Sequence, residues 1–144
     1  MATLYSLPSR HMEIQEFQKF VHEFKYARGW EKRHEPKDLL LGLVEEIGEF
    51  RNLIKWKNDA QIRQTLIEDR SPEARAEIVD FFGDMLWYLG TLADYCQVDM
   101  REAMDFIEKE FQWRFPIEKT SLNGTNPKDG GYDGKYAGGH ETGS

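Results

Sequence analysis

The side chains of this sequence most able to do chemistry are carboxylates on two predicted helices. They fall into two clusters at helical spacing: Glu45, Glu46 and Glu49, then Glu77, Asp80 and Asp84. Side chains three or four residues apart leave the same side of a helix, so neighbouring charges within each cluster repel one another. A cation held between them turns that repulsion into attraction. The two clusters therefore predict a metal site whose ligands are carboxylate oxygens.

The residue types near the clusters narrow the choice of metal. Neither acidic helix contains histidine, which argues against zinc and against a di-iron site built on a Glu-x-x-His element. Ligation by oxygen alone favours Mg²⁺, with Mn²⁺ as the alternative. Mg²⁺ held by a few carboxylates keeps coordination positions for waters and substrate phosphates.

Hydrophobic periodicity predicts an all-α fold in which four helices form a bundle. The expected helices cover residues 12–27, 36–57, 72 to 95 or 96, and 100–115, with a short helical piece at 61–67. Ser71 followed by Pro72 is typical of a helix start, because serine caps the first turn and proline suits its first position. The two acidic clusters fall on the second and third of these long helices.

Composition favours one globular domain, since the 144 residues are 40% hydrophobic and 13% aromatic. We place it at residues 12–116, between a lead-in at 1–11 and a glycine-rich tail at 117–144 that is expected to be loop or disordered. The net charge of −7 argues against sequence-independent nucleic-acid binding. Cys96 is the only cysteine, and no signal peptide or membrane span is visible, so the cytoplasm is the expected location.

The acidic pattern resembles the EExxE…ExxD signature of the MazG-like, all-α nucleoside triphosphate pyrophosphohydrolases. Within that family the chain looks closest to the dCTP pyrophosphatase branch, whose motifs it matches in order and spacing. The matching segments are Gly29-Trp30-Glu31, His34-x-Pro36, residues 39–44, Glu46-x-Gly48-Glu49, Trp56-Lys57, residues 83–89 and Val98-Asp99. The resemblance covers about residues 12–116.

This resemblance implies hydrolysis of a nucleoside triphosphate between its α and β phosphates, giving a monophosphate and pyrophosphate. It implies that Glu46, Glu49, Glu77 and Asp80 bind Mg²⁺, and that Glu45 supports these ligands or acts as a general base. It also implies a homo-oligomer, either a dimer or a tetramer, whose site is completed between neighbouring subunits.

Two alignments compete on the third helix. The strict motif selects Glu77 and Asp80, whereas the gapless match that continues through Tyr88 makes Asp84 the family aspartate. In the second alignment Phe81, which cannot bind metal, stands where the family has glutamate. Asp80 belongs to both candidate pairs, so all three acids are kept as candidate ligands.

Aromatic residues are the candidates for holding the base. Trp30 and Trp56 correspond in position to aromatic residues that line the base pocket in the resembling branch. Stacking accepts any base, so these two side chains would set affinity more than selectivity. Tyr88, one turn after Asp84, is a candidate for a hydrogen bond to the sugar or a phosphate.

The fourth helix departs from the branch. Ile107 and Phe111 occupy the positions where the branch has a lysine and an asparagine facing the phosphates, and Lys109 and Arg114 are the nearest basic substitutes. This departure keeps two alternatives open. One is a non-catalytic nucleotide-binding or regulatory protein on the same scaffold, and the other is a structural helical bundle whose acids are solvated.

Overall fold

The computed structural model describes residues 12–115. Five α-helices and two shorter helical turns follow one another in this part of the chain. They are α1 Ile14–Tyr26, a 3₁₀ turn Trp30–Lys32, α2 Pro36–Ile54, α3 Asp59–Arg63, a π-helical turn Gln64–Glu68, α4 Pro72–Tyr95 and α5 Met100–Arg114. Residues 12–115 contain no β-strand, so the predicted all-α class is confirmed. In the same range no helix combines the length and apolar composition that a membrane span requires.

The predicted helix boundaries agree with the observed ones to within a few residues. Ser71 caps α4 as expected, since its Oγ accepts a hydrogen bond from the Ala74 N–H at 3.3 Å. The short helical piece predicted at 61–67 corresponds to α3 and the π-helical turn after it. The predicted lead-in and glycine-rich tail lie outside the described residues. The chain divides into two units, Met1–Met100 and Arg101–Ser144.

Helix α4 is the central element of the first unit, because α1 and α2 both pack against it. Gly90 of α4 lies so close to α1 that a Cβ there would be 3.2 Å from the Val21 side chain, which is fully buried. Nearby, the rings of Phe24 and Trp87 meet edge to face with centroids 5.5 Å apart. A glycine and two aromatic rings thus set the approach of α1 to α4.

Few apolar side chains of the described region are fully covered. The buried ones include Val21, Leu39, Leu43 and Ile78. By contrast, α2 and α4 carry exposed apolar residues at helical spacing: Leu40, Val44 and Ile47 on α2, and Val79, Phe82, Leu86 and Leu89 on α4. Val44 is 65% exposed and Phe82 is 57% exposed. The two helices that bear the acids therefore also bear apolar surface.

A buried ion pair ties α1 to α4. Lys25, whose side chain is 5% exposed, contacts Asp94, and His22 Nδ1 lies 2.7 Å from the second oxygen of that carboxylate. Burial alone would raise the pKa of Asp94, but hydrogen bonds and positive charge from Lys25 and His22 outweigh it and lower the pKa below its ordinary value. A carboxylate with a depressed pKa stabilises the fold at neutral pH and loses that contribution as the pH falls through its folded-state pKa.

We expect Asp94→Asn to lower the free energy of unfolding at pH 7 by about 3–5 kcal/mol, because it leaves the buried ammonium of Lys25 without a counter-charge. Urea denaturation measures the change. Glu23→Gln is the matched control, since it breaks the exposed Lys19–Glu23 pair, whose contribution is about 0.5 kcal/mol or less. The difference between wild type and Asp94→Asn should shrink in acid, where the wild-type carboxyl also becomes neutral. Equal decreases in the free energy of unfolding for the two variants would show that the buried Lys25–Asp94 pair stabilises the fold no more than the exposed pair does.

Candidate active site

Helices α2 and α4 face each other at the level of the two acidic clusters. The Phe50 ring of α2 stacks on the Phe81 ring of α4, with centroids 4.2 Å apart and planes 24° from parallel. Beside this stack is a cleft of about 270 Å³. Its lining residues are Glu46, Glu49, Phe50, Leu53, Glu77, Asp80 and Phe81. The structure therefore brings carboxylates from both predicted clusters to one cleft.

The acids of the two helices influence one another electrostatically. Burial raises the pKa of Glu46, and neighbouring negative charges raise it further; they are Asp84, Glu49, Asp80 and Glu45. Burial likewise raises the pKa of Asp84, with further increases from Asp80 and Glu49. Crowded carboxylates of this kind bind protons more readily than isolated ones, and a divalent cation would relieve the same repulsion.

Both candidate alignments of α4 remain compatible with this arrangement. Glu77 and Asp80 line the cleft, which suits the strict motif. Asp84 does not line it, but its charge acts on Glu46, so it belongs to the same acidic group. Phe81 forms part of the cleft wall through its stack on Phe50. The choice between the two pairs stays a prediction.

The donor set of the cleft fits a hard divalent cation by its chemistry, since its side-chain donors are carboxylate oxygens alone. The side chains do not converge as they stand. Within residues 12–115, no three His, Cys, Asp or Glu side chains lie close enough to hold a metal ion together. Carboxylates on facing helices can approach a shared point by changing rotamer, without movement of the helices.

Tyr88 lies directly against the backbone of α2, at a glycine. A Cβ on Gly42 would be 2.5 Å from the ring atoms Cε1 and Cζ of Tyr88 and 2.6 Å from its hydroxyl. Burial raises the pKa of Tyr88, and the negative charge of Glu46 and Asp84 raises it further. The hydroxyl is therefore protonated at neutral pH and stands as a hydrogen-bond donor beside the acids. The hydrogen bond of Tyr88 to a sugar or phosphate stays a prediction. The close approach of Tyr88 to Gly42 was not predicted from the sequence, although a glycine within an apolar helix is a signal of close packing.

Trp56, one of the two predicted base-stacking residues, is held in solvent just after α2. Its side chain is 89% exposed, and its φ of 65° is in the left-handed region that bulky residues rarely adopt. The Lys55 ammonium lies 5.4 Å from the centre of the indole ring. A left-handed residue just after the cap is a common helix ending, and Gln97 after α4 has a similar φ of 56°. The predicted stacking role of Trp56 stays a prediction, and its exposure leaves the indole accessible to a ligand.

Trp30, the other predicted base-stacking residue, is half-buried in an aromatic cluster. Its ring centroid lies 5.6 Å from that of Phe24, 6.1 Å from that of Trp87 and 5.6 Å from that of His34. The indole nevertheless remains 40% exposed. Part of this side chain supports the packing of α1 on α4, and part is accessible to a ligand.

Lys109 and Arg114, the predicted phosphate contacts, lie on α5. Arg114 donates a hydrogen bond to Glu110 Oε1 at 3.3 Å, and its guanidinium lies 5.1 Å from the centre of the Phe115 ring. The contact of these two residues with phosphates stays a prediction.

A larger, more open hollow of about 550 Å³ lies between α1 and the turn after α4. Several of its polar groups form hydrogen bonds across it. Gln18 Nε2 donates to the Val98 carbonyl at 2.7 Å and Gln18 Oε1 accepts from the Met100 N–H at 2.9 Å, while His22 contacts Asp94. These contacts join α1 to the end of α4 and the turn after it, so we assign them a structural role.

Comparison with known proteins gives several relatives named dCTP pyrophosphatase 1. No family model matches the chain. It is 34% identical to dCTP pyrophosphatase 1 of Rattus norvegicus over 104 residues, which cover 72% of this chain and 59% of the rat protein. It is 37% identical to dCTP pyrophosphatase 1 of Homo sapiens over 91 residues, covering 63% and 52% respectively. The chain thus spans between half and two thirds of the length of these dCTP pyrophosphatase relatives.

A solved structure shares the fold. The chain resembles a pyrophosphatase from Archaeoglobus fulgidus DSM 4304 with a TM-score of 0.61 at 24% sequence identity, over 76% of this chain and 98% of that one. At this identity the similarity supports the architecture and carries no argument about activity.

The close contact at Gly42 yields a prediction about α2. Gly42→Ala should lower the free energy of unfolding by about 1–3 kcal/mol, because the new methyl group overpacks against the Tyr88 ring. Gly48→Ala is the matched control on the same helix, since a Cβ there meets nothing within 4 Å. That substitution should gain up to about 1 kcal/mol of helix propensity. Thermal unfolding measures both, and a stabilising Gly42→Ala would contradict the close approach of Tyr88.

Proposed function

Because this chain belongs to the MazG-like nucleoside triphosphate pyrophosphohydrolases, in the branch of the dCTP pyrophosphatases, we propose that it hydrolyses nucleoside triphosphates between the α and β phosphates. The products are a nucleoside monophosphate and pyrophosphate. The observation that carries the proposal is the cleft between α2 and α4, which is lined by carboxylates of both helices. A deoxynucleoside triphosphate is the proposed substrate class.

The proposal includes a requirement for Mg²⁺ or Mn²⁺. The residues that would hold the cation are Glu46, Glu49 and Asp80, together with Glu77 or Asp84. A cation held by these residues would neutralise charge on the triphosphate and would lower the pKa of a bound water. Burial raises the pKa of Glu46 and the negative charge of the neighbouring acids raises it further, and this crowding supports a role in binding positive charge.

Glu45 is the proposed general base. It is exposed on α2, next to Glu46 in the chain, and its charge acts on both Glu46 and Tyr88. In that role its carboxylate takes a proton from the attacking water. The water oxygen forms a new bond to phosphorus, and the anhydride bond between the α and β phosphates breaks. The electron pair of that bond leaves with the pyrophosphate.

The tyrosine and the two tryptophans are proposed to hold the nucleoside. The Tyr88 hydroxyl, protonated beside the acids, can donate a hydrogen bond to a phosphate or sugar oxygen. Trp56, exposed at the end of the acidic helix, is suited to stacking on a base, an interaction that contributes about 1–3 kcal/mol per base in single-strand binding proteins. Trp30 offers its exposed part for the same purpose.

A homo-oligomer, dimeric or tetrameric, completes the proposal. The apolar residues of α2 and α4 that are exposed in the single chain would be covered by a second copy packed against the same two helices that carry the acids. Burial of such residues favours association, by about 25 cal/mol per Å² of apolar surface removed from water. Sedimentation at micromolar concentration tests this, and a monomer there would contradict it.

The activity itself is tested by release of pyrophosphate from dCTP, dTTP, dUTP, dGTP and ATP in the presence of Mg²⁺. We expect Glu49→Gln to reduce turnover on the order of a hundredfold or more, because it removes a ligand charge from a site where charge stabilisation is worth several kcal/mol. Glu23→Gln on α1 is the matched control. Wild-type turnover by Glu49→Gln at saturating Mg²⁺ would remove this residue from the metal site.

A second function is that of a protein that binds nucleotides without hydrolysing them. It would be favoured if the wild-type chain released no pyrophosphate from any of the five nucleotides. The observation on its side is Phe81, which in one alignment stands at a metal-binding position and which stacks on Phe50 in the structure. Binding of Mg²⁺–dCTP without release of pyrophosphate would establish that alternative.

The metal pair on α4 is decided by three substitutions. If Asp80 and Asp84 form the pair, Asp80→Asn and Asp84→Asn should each raise the Mg²⁺ concentration needed for half-maximal turnover more than Glu77→Gln does. If Glu77 and Asp80 form it, Asp84→Asn should be nearly silent. Titration with Mg²⁺ separates the two, and three equal shifts would contradict both.

A further inference from the structure

Two buried polar atoms beside Trp30 have no hydrogen-bond partner. They are Glu31 Oε2 and His34 Nδ1, found in a search of residues 12–115. Buried polar groups are nearly always satisfied, and each exception calls for a physical reason. The two residues belong to one tight turn, in which the His34 N–H donates to the Trp30 carbonyl at 3.0 Å. Both side chains therefore leave the short segment that begins at Trp30.

The surroundings of the pair are aromatic and apolar. The Trp30 ring lies against His34 with centroids 5.6 Å apart, and Phe24 and Trp87 complete the cluster. Burial lowers the pKa of His34, and the positive charge of Lys25 lowers it further. The imidazole is therefore neutral at pH 7, and Nδ1 offers one donor or one acceptor according to tautomer.

The cluster is continuous with the proposed active site. Trp87, whose ring meets that of Trp30, stands one turn after Asp84 on the same side of α4. At 1.5 Å per residue the two positions are about 4.5 Å apart along the helix axis. A nucleotide whose phosphates lie at the acids can therefore direct its base toward Trp30, Glu31 and His34.

The hydrogen-bonding chemistry of Glu31 Oε2 and His34 Nδ1 defines which edge of a nucleotide base they would recognise. A carboxylate oxygen only accepts hydrogen bonds, so the group opposite Glu31 must donate one. Cytosine and adenine place an exocyclic amino group next to an unprotonated ring nitrogen, which matches an acceptor beside the Nδ1–H of a neutral histidine. Uracil and thymine place a carbonyl oxygen where the amino group stands, and this oxygen would face the carboxylate.

We propose that Glu31 and His34 determine base selectivity: Glu31 accepts a hydrogen bond from the exocyclic amino group of the base, and His34 donates one to the adjacent ring nitrogen. This inference rests on the proposed function, because the base is that of the nucleotide bound at the acidic cleft. It adds selectivity to the stacking of Trp30, which by itself accepts any base.

Access to the pair requires movement of one side chain. Both atoms are closed to solvent, and the Trp30 ring lies against His34. Trp30 is 40% exposed and opens a helix of a single turn, preceded by Gly29 in the left-handed region with φ of 65°. Rotation of the indole outward exposes the pair without disturbing a long helix, and a base can then enter between the rotated indole and the pair, stacked on the indole.

The test compares two nucleotides that differ at this edge. Calorimetry with the α,β-methylene analogues of dCTP and dUTP, in Mg²⁺, measures affinity independently of turnover. Wild type should bind the dCTP analogue more tightly. Glu31→Gln should reduce the ratio of the two affinities roughly 5- to 150-fold, the equivalent of about 1–3 kcal/mol, because an amide can donate to a carbonyl oxygen as well as accept. His34→Phe keeps a ring against Trp30, removes Nδ1 and should also reduce the ratio.

Glu35→Gln is the matched control, since Glu35 is exposed nearby and its side chain makes no capping hydrogen bond; its ratio should equal that of wild type. A wild-type ratio near one, or an unchanged ratio in Glu31→Gln, overturns the inference. Equal weakening of both analogues in the variants also overturns it, because that is the result of a purely structural role. If the chain binds the dCTP analogue selectively but releases no pyrophosphate from dCTP, the inference on base selectivity stands and the proposed hydrolysis is wrong. If it binds neither analogue, both proposals are wrong.

Discussion

The contact between α2 and α4 is the constraint on which the rest of the site depends. The Phe50–Phe81 stack and the approach of Tyr88 to Gly42 hold the two helices together on either side of the acids. An aromatic pair of this kind contributes about 0.5–1.5 kcal/mol beyond its buried area. Packing thus brings together carboxylates that would otherwise separate. Burial raises the pKa of Glu46, and repulsion from the neighbouring acids raises it further. A cation bound at the cleft would convert that repulsion into binding energy.

The other side of α4 has a different role. There the buried Lys25–Asp94 pair and the packing of Val21 on Gly90 hold α1 in place. Because the turn that carries Trp30 follows α1 directly, the position of this helix also sets the position of the aromatic cluster. One long helix therefore contacts the proposed phosphate end of the nucleotide through α2 and the proposed base end through α1.

Several features of the site break the rules that govern the rest of the chain. Trp56 is exposed and has a positive φ, Glu31 and His34 each bury a polar atom without a partner, and carboxylates crowd one another in the cleft. Each of these lowers stability in isolation. Proteins retain such violations mainly where function requires them. Their grouping around α2, α4 and the turn at Trp30 is what the proposed nucleotide site requires.

The sequence alone determined the all-α class, the helices and the two acidic clusters, because periodicity and capping are local properties of the chain. It did not decide how the clusters meet. Whether the charge of Asp84 reaches Glu46 depends on the rotation and crossing of α4 against α2, which side-chain packing between helices sets. The same holds for the Tyr88–Gly42 contact and the two buried atoms beside Trp30. Each depends on neighbours distant in the chain, and only the tertiary structure supplies those neighbours.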